Sequence, residues 1–414
     1  MKPVVGIAVT PPQNDTSGRY GLHVARNYAA AFARLGFEPL VAQLGDGAAI
    51  EQLLQPHVAL LFSHGGWLMA PDGPLGAGIG AALRAADKPT IVIIGDPPFS
   101  PWLPPIFANL PPRAVPFFID PSFADGITHW IPSGRTAAYM PVAHLLDGHG
   151  PVATDDKTIP LLFVGSTFDA DRFHRAVRTR HPSLFPPFAA LVESNLADLD
   201  RSLTEMAAEV LPGFGEAFDM DSARTRDLLY LADRYIRQQR RNRVLDRLVR
   251  HPAVLVAPGT TRLPPGSKAT LLPRQPFPAS LASLRLARAT VVCQPHYPGA
   301  LNERIIHAMQ ARCAVIATPN VRTGRVFSHQ EHLLTTAPDL SDLDALIDAV
   351  GRRPTAEAIR DRASQRIAER HQPEHAIRYM LGFMAESGLL GDAIEAPPGP
   401  RLIVPPLPAR APLG

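Results

Sequence analysis

"PHYPGALNERIIHAMQARCAVIATPN", residues 295–320, sets a turn-rich loop, an apolar-periodic helix and a short β-branched strand in immediate succession. A loop that enters a helix, followed at once by a buried strand, is the connection of an open α/β sheet. The free N–H groups of such a first helical turn also make the loop a place to hold an anion. Asn302 is placed to cap the helix, Glu303 to open it and Arg304 to offer a guanidinium fork. The bland alternative for the same three residues is a plain helix cap with a surface ion pair.

Working outward, the first half of the chain alternates in the same manner. VVGIAVT (4–10), EPLVAQL (38–44), HVALLFS (57–63) and TIVIIGD (90–96) read as buried strands, with HVARNYAAAFARLG (23–36) as an amphipathic helix between the first two. Strands and helices at this spacing imply βαβ crossovers and a parallel sheet covered on both faces. The polar stretch DGHGPVATDDKT (147–158) has no apolar period and marks a domain boundary. Beyond it IPLLFVGS (159–166) restarts the strand pattern, residues 184 to about 250 are helical, and VLVAP, ATLLP, TVVCQ and AVIATP return as strands. The expected architecture is α/β: two Rossmann-like lobes facing across a cleft, residues 1–150 and 159–390, the second with a helical insertion. Residues 391–414 are so rich in proline that they read as an extended or disordered tail.

Composition narrows the function class. A chain of 414 residues with 46% hydrophobic residues can bury a large core, and at roughly 150 residues per domain it divides into two. Its two cysteines, Cys293 and Cys313, lie in apolar stretches and suit a reducing compartment. The start resembles no secretory signal, and no run approaches the ~18 apolar residues of a membrane span, so a cytoplasmic protein is expected. Net charge is +3 from 41 basic and 38 acidic residues, which requires no nucleic-acid partner. The arginines of RYIRQQRRNRVLDRLVR (234–250) read as the solvated side of an amphipathic helix. Neither lobe carries the glycine fingerprint of a dinucleotide-binding dehydrogenase or a P-loop.

Two longer segments carry a resemblance. DRYIRQQRRNRVLDRLVRHPAVLVAPG (233–259), with TVVCQPHYPGALNERIIHAMQARCAVIATPN (290–320) after it, resembles the C-terminal half of GT-B glycosyltransferases, and more narrowly their CgeB-like, spore-maturation-type branch. LLFVGSTFDADR (161–172) resembles the strand, Gly-Ser turn and arginine that open that domain. The resemblance implies a transferase that takes a sugar from a nucleotide diphosphate, held on the second lobe, to a protein, glycan or small-molecule acceptor on the first. It implies no metal and no cofactor, since a helix N-terminus and basic side chains stabilise the leaving diphosphate. On it Asn302, Glu303, Arg304 and Gly299 would hold the donor, joined by Gly165, Ser166, Lys268 and Arg172. One departure stands out. Many retaining members carry Glu-x7-Glu, whereas this chain has Gly299 and His307 at those two positions.

For the acceptor side, His64 follows a buried strand directly and precedes two glycines, and Asp96 ends the next strand in the same way. Both are candidate general bases, since strand carboxyl ends are where such sheets bind ligands. Asp169-Ala170-Asp171 superficially fits the metal motif of GT-A enzymes but opens a helix, where acidic residues favour the macrodipole. Two other readings remain: a non-catalytic glycan- or nucleotide-binding protein on a degenerate fold, and a nucleotide-sugar epimerase.

Overall fold

The β-branched and apolar runs become strands because alternate residues can be buried on both faces of a sheet. The structure, a computed structural model, describes residues 2–9, 17–43, 46–65, 77–125, 137–140, 146, 148–165, 167–257, 262–294, 297–390 and 394–398. In the first lobe β1 (Val4–Val9), α1 (Ser17–Arg34), β2 (Glu38–Gln43), α2 (Gly47–Leu54), β3 (Val58–His64), α3 (Ala77–Ala86) and β4 (Thr90–Ile94) alternate. They are followed by α4 (Leu103–Ala108), β5 (Ala114–Phe118), α5 (Ser122–Asp125) and β6 (Ala138–Tyr139). The sheet order is β2-β1-β3-β4-β5-β6, every pairing parallel.

The second lobe opens with β7 (Ile159–Val164). A helical insertion follows: α6 (Ala170–Arg180), α7 (Phe185–Ala197), α8 (Leu203–Val210) and the long α9 (Ala223–Leu248). Then come β8 (Ala253–Val256), β9 (Thr270–Leu272), α10 (Phe277–Leu286), β10 (Ala287–Val292), α11 (Glu303–Gln310), β11 (Ala314–Ala317), α12 (Val321–Val326) and β12 (Leu334–Thr335). Three more helices follow: α13 (Leu343–Gly351), α14 (Arg353–Arg370) and α15 (Pro373–Glu386). This sheet runs β12-β11-β10-β7-β8-β9, again all parallel. The strand order reverses between β1 and β3 in the first sheet and between β7 and β10 in the second. Open parallel sheets bind ligands outside the carboxyl ends of the strands at such reversals.

The insertion has a core of its own around Phe188, Leu191, Met206, Leu228 and Ile236, and Phe99 of the first lobe is buried in it. The expectation that the arginines of α9 are solvated holds for Arg234 and Arg243 and is corrected for three others. Helices pack on α9 from one side and the second sheet from the other, so Arg240 is buried and Arg237 and Arg241 are only partly exposed.

Among the described residues the chain crosses between the lobes twice. Met140 lies in the first core and Leu146 in the second, where its backbone N–H donates to Gln310 Oε1 at 2.9 Å and its carbonyl accepts from Gln310 Nε2 at 2.6 Å. That crossing precedes the polar stretch at 147–158, because polar composition marks exposed chain rather than the crossing itself. The return comes after α14. Sequence periodicity assigns residues up to 390 to the second lobe, yet Ala376, Ile377, Met380, Leu381 and Met384 of α15 are buried in the first core beside α1. The proline-rich tail falls outside the described residues except for 394–398, where Ile394 joins the same core. Met380 is fully buried there. Met380→Ala should therefore cost about 2–5 kcal/mol of first-lobe stability, read from the denaturant midpoint at unchanged slope.

Candidate functional site

The carboxyl ends of the two sheets face one another across a cavity of about 430 Å³. From the first lobe come Val9 at the end of β1, His64 and Gly65 at the end of β3, Gly95 and Asp96 after β4, and Tyr20 on α1. The second lobe contributes Arg237 and Arg241 from α9, Cys293 and Gln294 after β10, and the loop that leads into Asn302, Glu303 and Arg304. A smaller cavity of about 180 Å³ adjoins it, lined by Val164, Gly165, Val256, Arg274, Phe277 and His307. Tyr20, Glu303 and Arg304 line both.

Asn302 caps α11: its side-chain oxygen accepts from the Arg304 N–H at 3.0 Å, which aims the first turn of the helix at the cavity. Arg304 spends one donor on its own lobe, Nη1 to the Val164 carbonyl at 2.9 Å, and so is held beside the end of β7. Arg241 comes from a different helix to the same wall. Burial, and then the like charge of Arg304, push its pKa down to about 10, leaving it cationic at neutrality. Two guanidiniums kept close enough to repel each other form a site for an anion.

Glu303 reaches across the cleft and accepts from the Tyr20 hydroxyl at 2.5 Å. Burial raises the Glu303 carboxyl, and the Tyr20 bond and Arg304 oppose the rise. The Tyr20 ring meets His64 edge-on at 5.7 Å and Phe277 at 4.8 Å, tying α1 to both lobes. His64 is driven down to about 4 by burial and stands as a neutral imidazole. Asp96 opens onto the cavity and accepts from Trp102 Nε1 at 3.2 Å. The surrounding walls hold its carboxyl above the ordinary range; Arg237 and the indole oppose that shift, and Asp233 adds to it.

Of the residues picked from sequence, His64, Asp96, Asn302, Glu303 and Arg304 gather at the larger cavity and Gly165 at the smaller. Ser166 lies outside the described residues. Lys268 stands in the loop before β9, exposed, on a separate cavity of about 840 Å³ with Asp169 and Asp246. Arg172 is exposed on α6, and its backbone N–H satisfies the Asp169 side chain at 2.8 Å. Nearness in sequence to strand ends does not bring either to the cleft. Asp169 is thus the N-cap of α6. Among the described residues no three His, Cys, Asp or Glu side chains gather as a metal ion would require, and no helix is long and apolar enough to cross a membrane.

Gly299 faces the other lobe rather than the cavity. Its N–H donates to Asp120 Oδ2 at 2.8 Å and its carbonyl accepts from the Tyr139 hydroxyl at 2.8 Å. A Cβ here would stand 2.4 Å from Pro121 Cδ, so a glutamate cannot occupy the position without moving the lobes apart. Sequence reading missed Tyr20, Arg237, Arg241, Asp120 and Tyr297. For Arg237 and Arg241 the signal was their spacing of four, which puts both on one helix face.

No protein-family model matches the sequence, and no curated protein sequence matches it. Solved structures do match. An α-glucosyltransferase in complex with UDP and a 13-mer DNA containing a central A:G mismatch superposes at a TM-score of 0.54 with 7% identity, over 92% of this chain and 99% of that one. A second α-glucosyltransferase complex, with UDP and a 13-mer DNA containing an HMU base, gives 0.52 with 9% identity over 94% and 100%. The β-glucosyltransferase of phage T4 gives 0.50 with 8% identity over 94% and 97%. At such identities the likeness speaks for the fold, which is the two-lobed GT-B arrangement. Two of the three are complexes with DNA, a partner that the charge balance of this sequence does not require.

Gly299→Ala should lower stability by about 1–3 kcal/mol through overpacking against Pro121. Calorimetry would check this, and an unchanged melting temperature would contradict the tight approach.

Proposed function

We propose that the chain transfers a glycosyl group from a nucleotide diphosphate to a hydroxyl or amide nucleophile without a metal ion. The observation that carries the reading is the division of charge across the 430 Å³ cavity. The N-terminus of α11, Arg304 and Arg241 stand on the second lobe, opposite Asp96 and the neutral His64 on the first. In this reading the diphosphate lies against α11, where aligned N–H groups and two guanidiniums stabilise the charge that builds as the sugar–phosphate bond breaks. The nucleoside extends into the 180 Å³ cavity beside Phe277 and Gly165, and Glu303 accepts from hydroxyls of the donor in place of Tyr20. Two of the structural neighbours are complexes with UDP, which supports a uridine donor.

Between the two candidate bases, the environments favour Asp96. Burial removes from His64 the advantage an imidazole has near neutrality, whereas the same effect brings the Asp96 carboxyl toward it. Asp96 keeps one oxygen on Trp102 and turns toward the cavity, suited to take the acceptor proton. His64, uncharged, is suited to orient the acceptor by hydrogen bonding. The Asn302-Glu303-Arg304 loop and the LLFVGSTFDADR segment support the finer assignment to the CgeB-like branch.

UDP or UDP-glucose at 100 times its dissociation constant should stabilise the fold by about 2.7 kcal/mol. Arg304→Ala should abolish most of that thermal shift while the free protein still folds, and a chelator should leave both binding and turnover intact. A panel of nucleotide diphosphate sugars that produces no shift at all would sink the reading. Asp96→Asn should keep the shift and lose about 10²–10⁴ in kcat; full turnover in that variant would return the base to His64.

A further inference from the structure

The transfer described so far leaves two charged groups of the cleft without a task. Asp233 on α9 is fully buried, a costly place for a carboxylate unless its oxygens are satisfied. It accepts from the Tyr297 hydroxyl at 2.6 Å and pairs with Arg237 one turn further along the same helix. Arg237 lies over the Tyr297 ring, 5.9 Å from its centroid, with its side chain 31% exposed on the wall of the cavity that Asp96 faces from the other lobe. A guanidinium fixed by a buried carboxylate and an aromatic ring is held in place before any substrate arrives. One cation thus serves two carboxylates, Asp233 by contact and Asp96 across the cavity.

We propose that Asp233 and Arg237, supplied by the helical insertion of the second lobe, are positioning residues that set the proton affinity of Asp96 in the first, so that the base is completed only where the lobes meet. This rests on Asp96 being the base. Arg237 favours the charged carboxylate of Asp96. Asp233 opposes it, and by holding Arg237 keeps that cation from forming a direct ion pair that would leave Asp96 too weak a base. The two residues therefore pull in opposite directions, as the causes acting on Asp96 and Arg237 also have it.

Other charged groups at the cavity stay the same in every variant: Arg241 on α9, and Glu303 with Arg304 on α11. His64 on β3 carries no charge above about pH 4, and burial pushes the Tyr20, Tyr297 and Cys293 side chains away from ionisation.

Trp102 supplies a reporter that is independent of turnover, because its indole N–H donates to Asp96. The chain has three tryptophans, so ¹⁵N-indole spectra of the full chain are simple, with Trp102→Phe assigning the signal and Asp96→Asn flattening its titration. Arg237→Gln should raise the midpoint of that titration by about one pH unit. Arg237→Lys, which keeps the cation, should leave it near the parent value, and Asp233→Asn should lower it. If Asp233→Asn does not fold, the two Arg237 variants decide. A midpoint unmoved in Arg237→Gln, or moved equally in Arg237→Lys, overturns the inference. A midpoint that moves as expected while the acidic limb of kcat/KM stays put upholds the link between the groups and faults Asp96 as the base.

Discussion

A buried carboxylate holds the lobes in register. Asp120 has no exposed surface, and it accepts from the Ser122 N–H at 2.8 Å, the Ser122 hydroxyl at 2.6 Å and, from the other lobe, the Gly299 N–H at 2.8 Å. An anion removed from water is tolerated only with partners of this kind, so the Gly299 N–H cannot drift away without leaving it under-satisfied. Because the partner is a backbone group of a residue without a side chain, the loop from Tyr297 to Asn302 is pinned at close range. From that point the remaining geometry follows. Tyr297 is set to reach Asp233, Tyr139 to close on the Gly299 carbonyl, and α11 to begin where its first turn meets the cleft.

The charge distribution across the cleft has the same origin. The basic groups arrive on helices α9 and α11, whose inward faces are set by packing against the second sheet, whereas Asp96 and His64 come from strand ends of the first. Arg241 and Arg304 thus face Asp96 only where the two lobes meet. The hydrogen bond between Tyr20 and Glu303 and the burial of Phe99 within the helical insertion add contacts at the two flanks of the cavity.

What could be read from the sequence follows from how local each determinant is. Strand runs and helical periods depend on neighbours in the chain, so the two sheets and the insertion were legible, and so were His64 and Asp96 at the ends of their strands. The Asn302 cap was legible for the same reason. Gly299 was noticed as a missing carboxylate, but its cause, Pro121 of the other lobe at 2.4 Å from any Cβ, is far from it in the chain. Arg237 and Arg241 looked like a solvated face because a helical pattern does not say how many layers cover the helix. The apolar face of α15 was equally plain as a pattern, and equally silent about which lobe it would cover.

That last helix bears on how the protein reaches its native state. A ribosome releases the strands of the first lobe early, yet the face of α1 that α15 covers has no cover until residues beyond 373 have emerged. The first lobe is therefore assembled from residues up to 140 together with α15, around a second lobe made in between, and its completion waits for that helix. Domain-by-domain folding during synthesis, the usual course for two-lobed proteins, is open here to the second lobe and only in part to the first. Until α15 docks, a nascent first lobe presents an apolar surface of the kind chaperones bind.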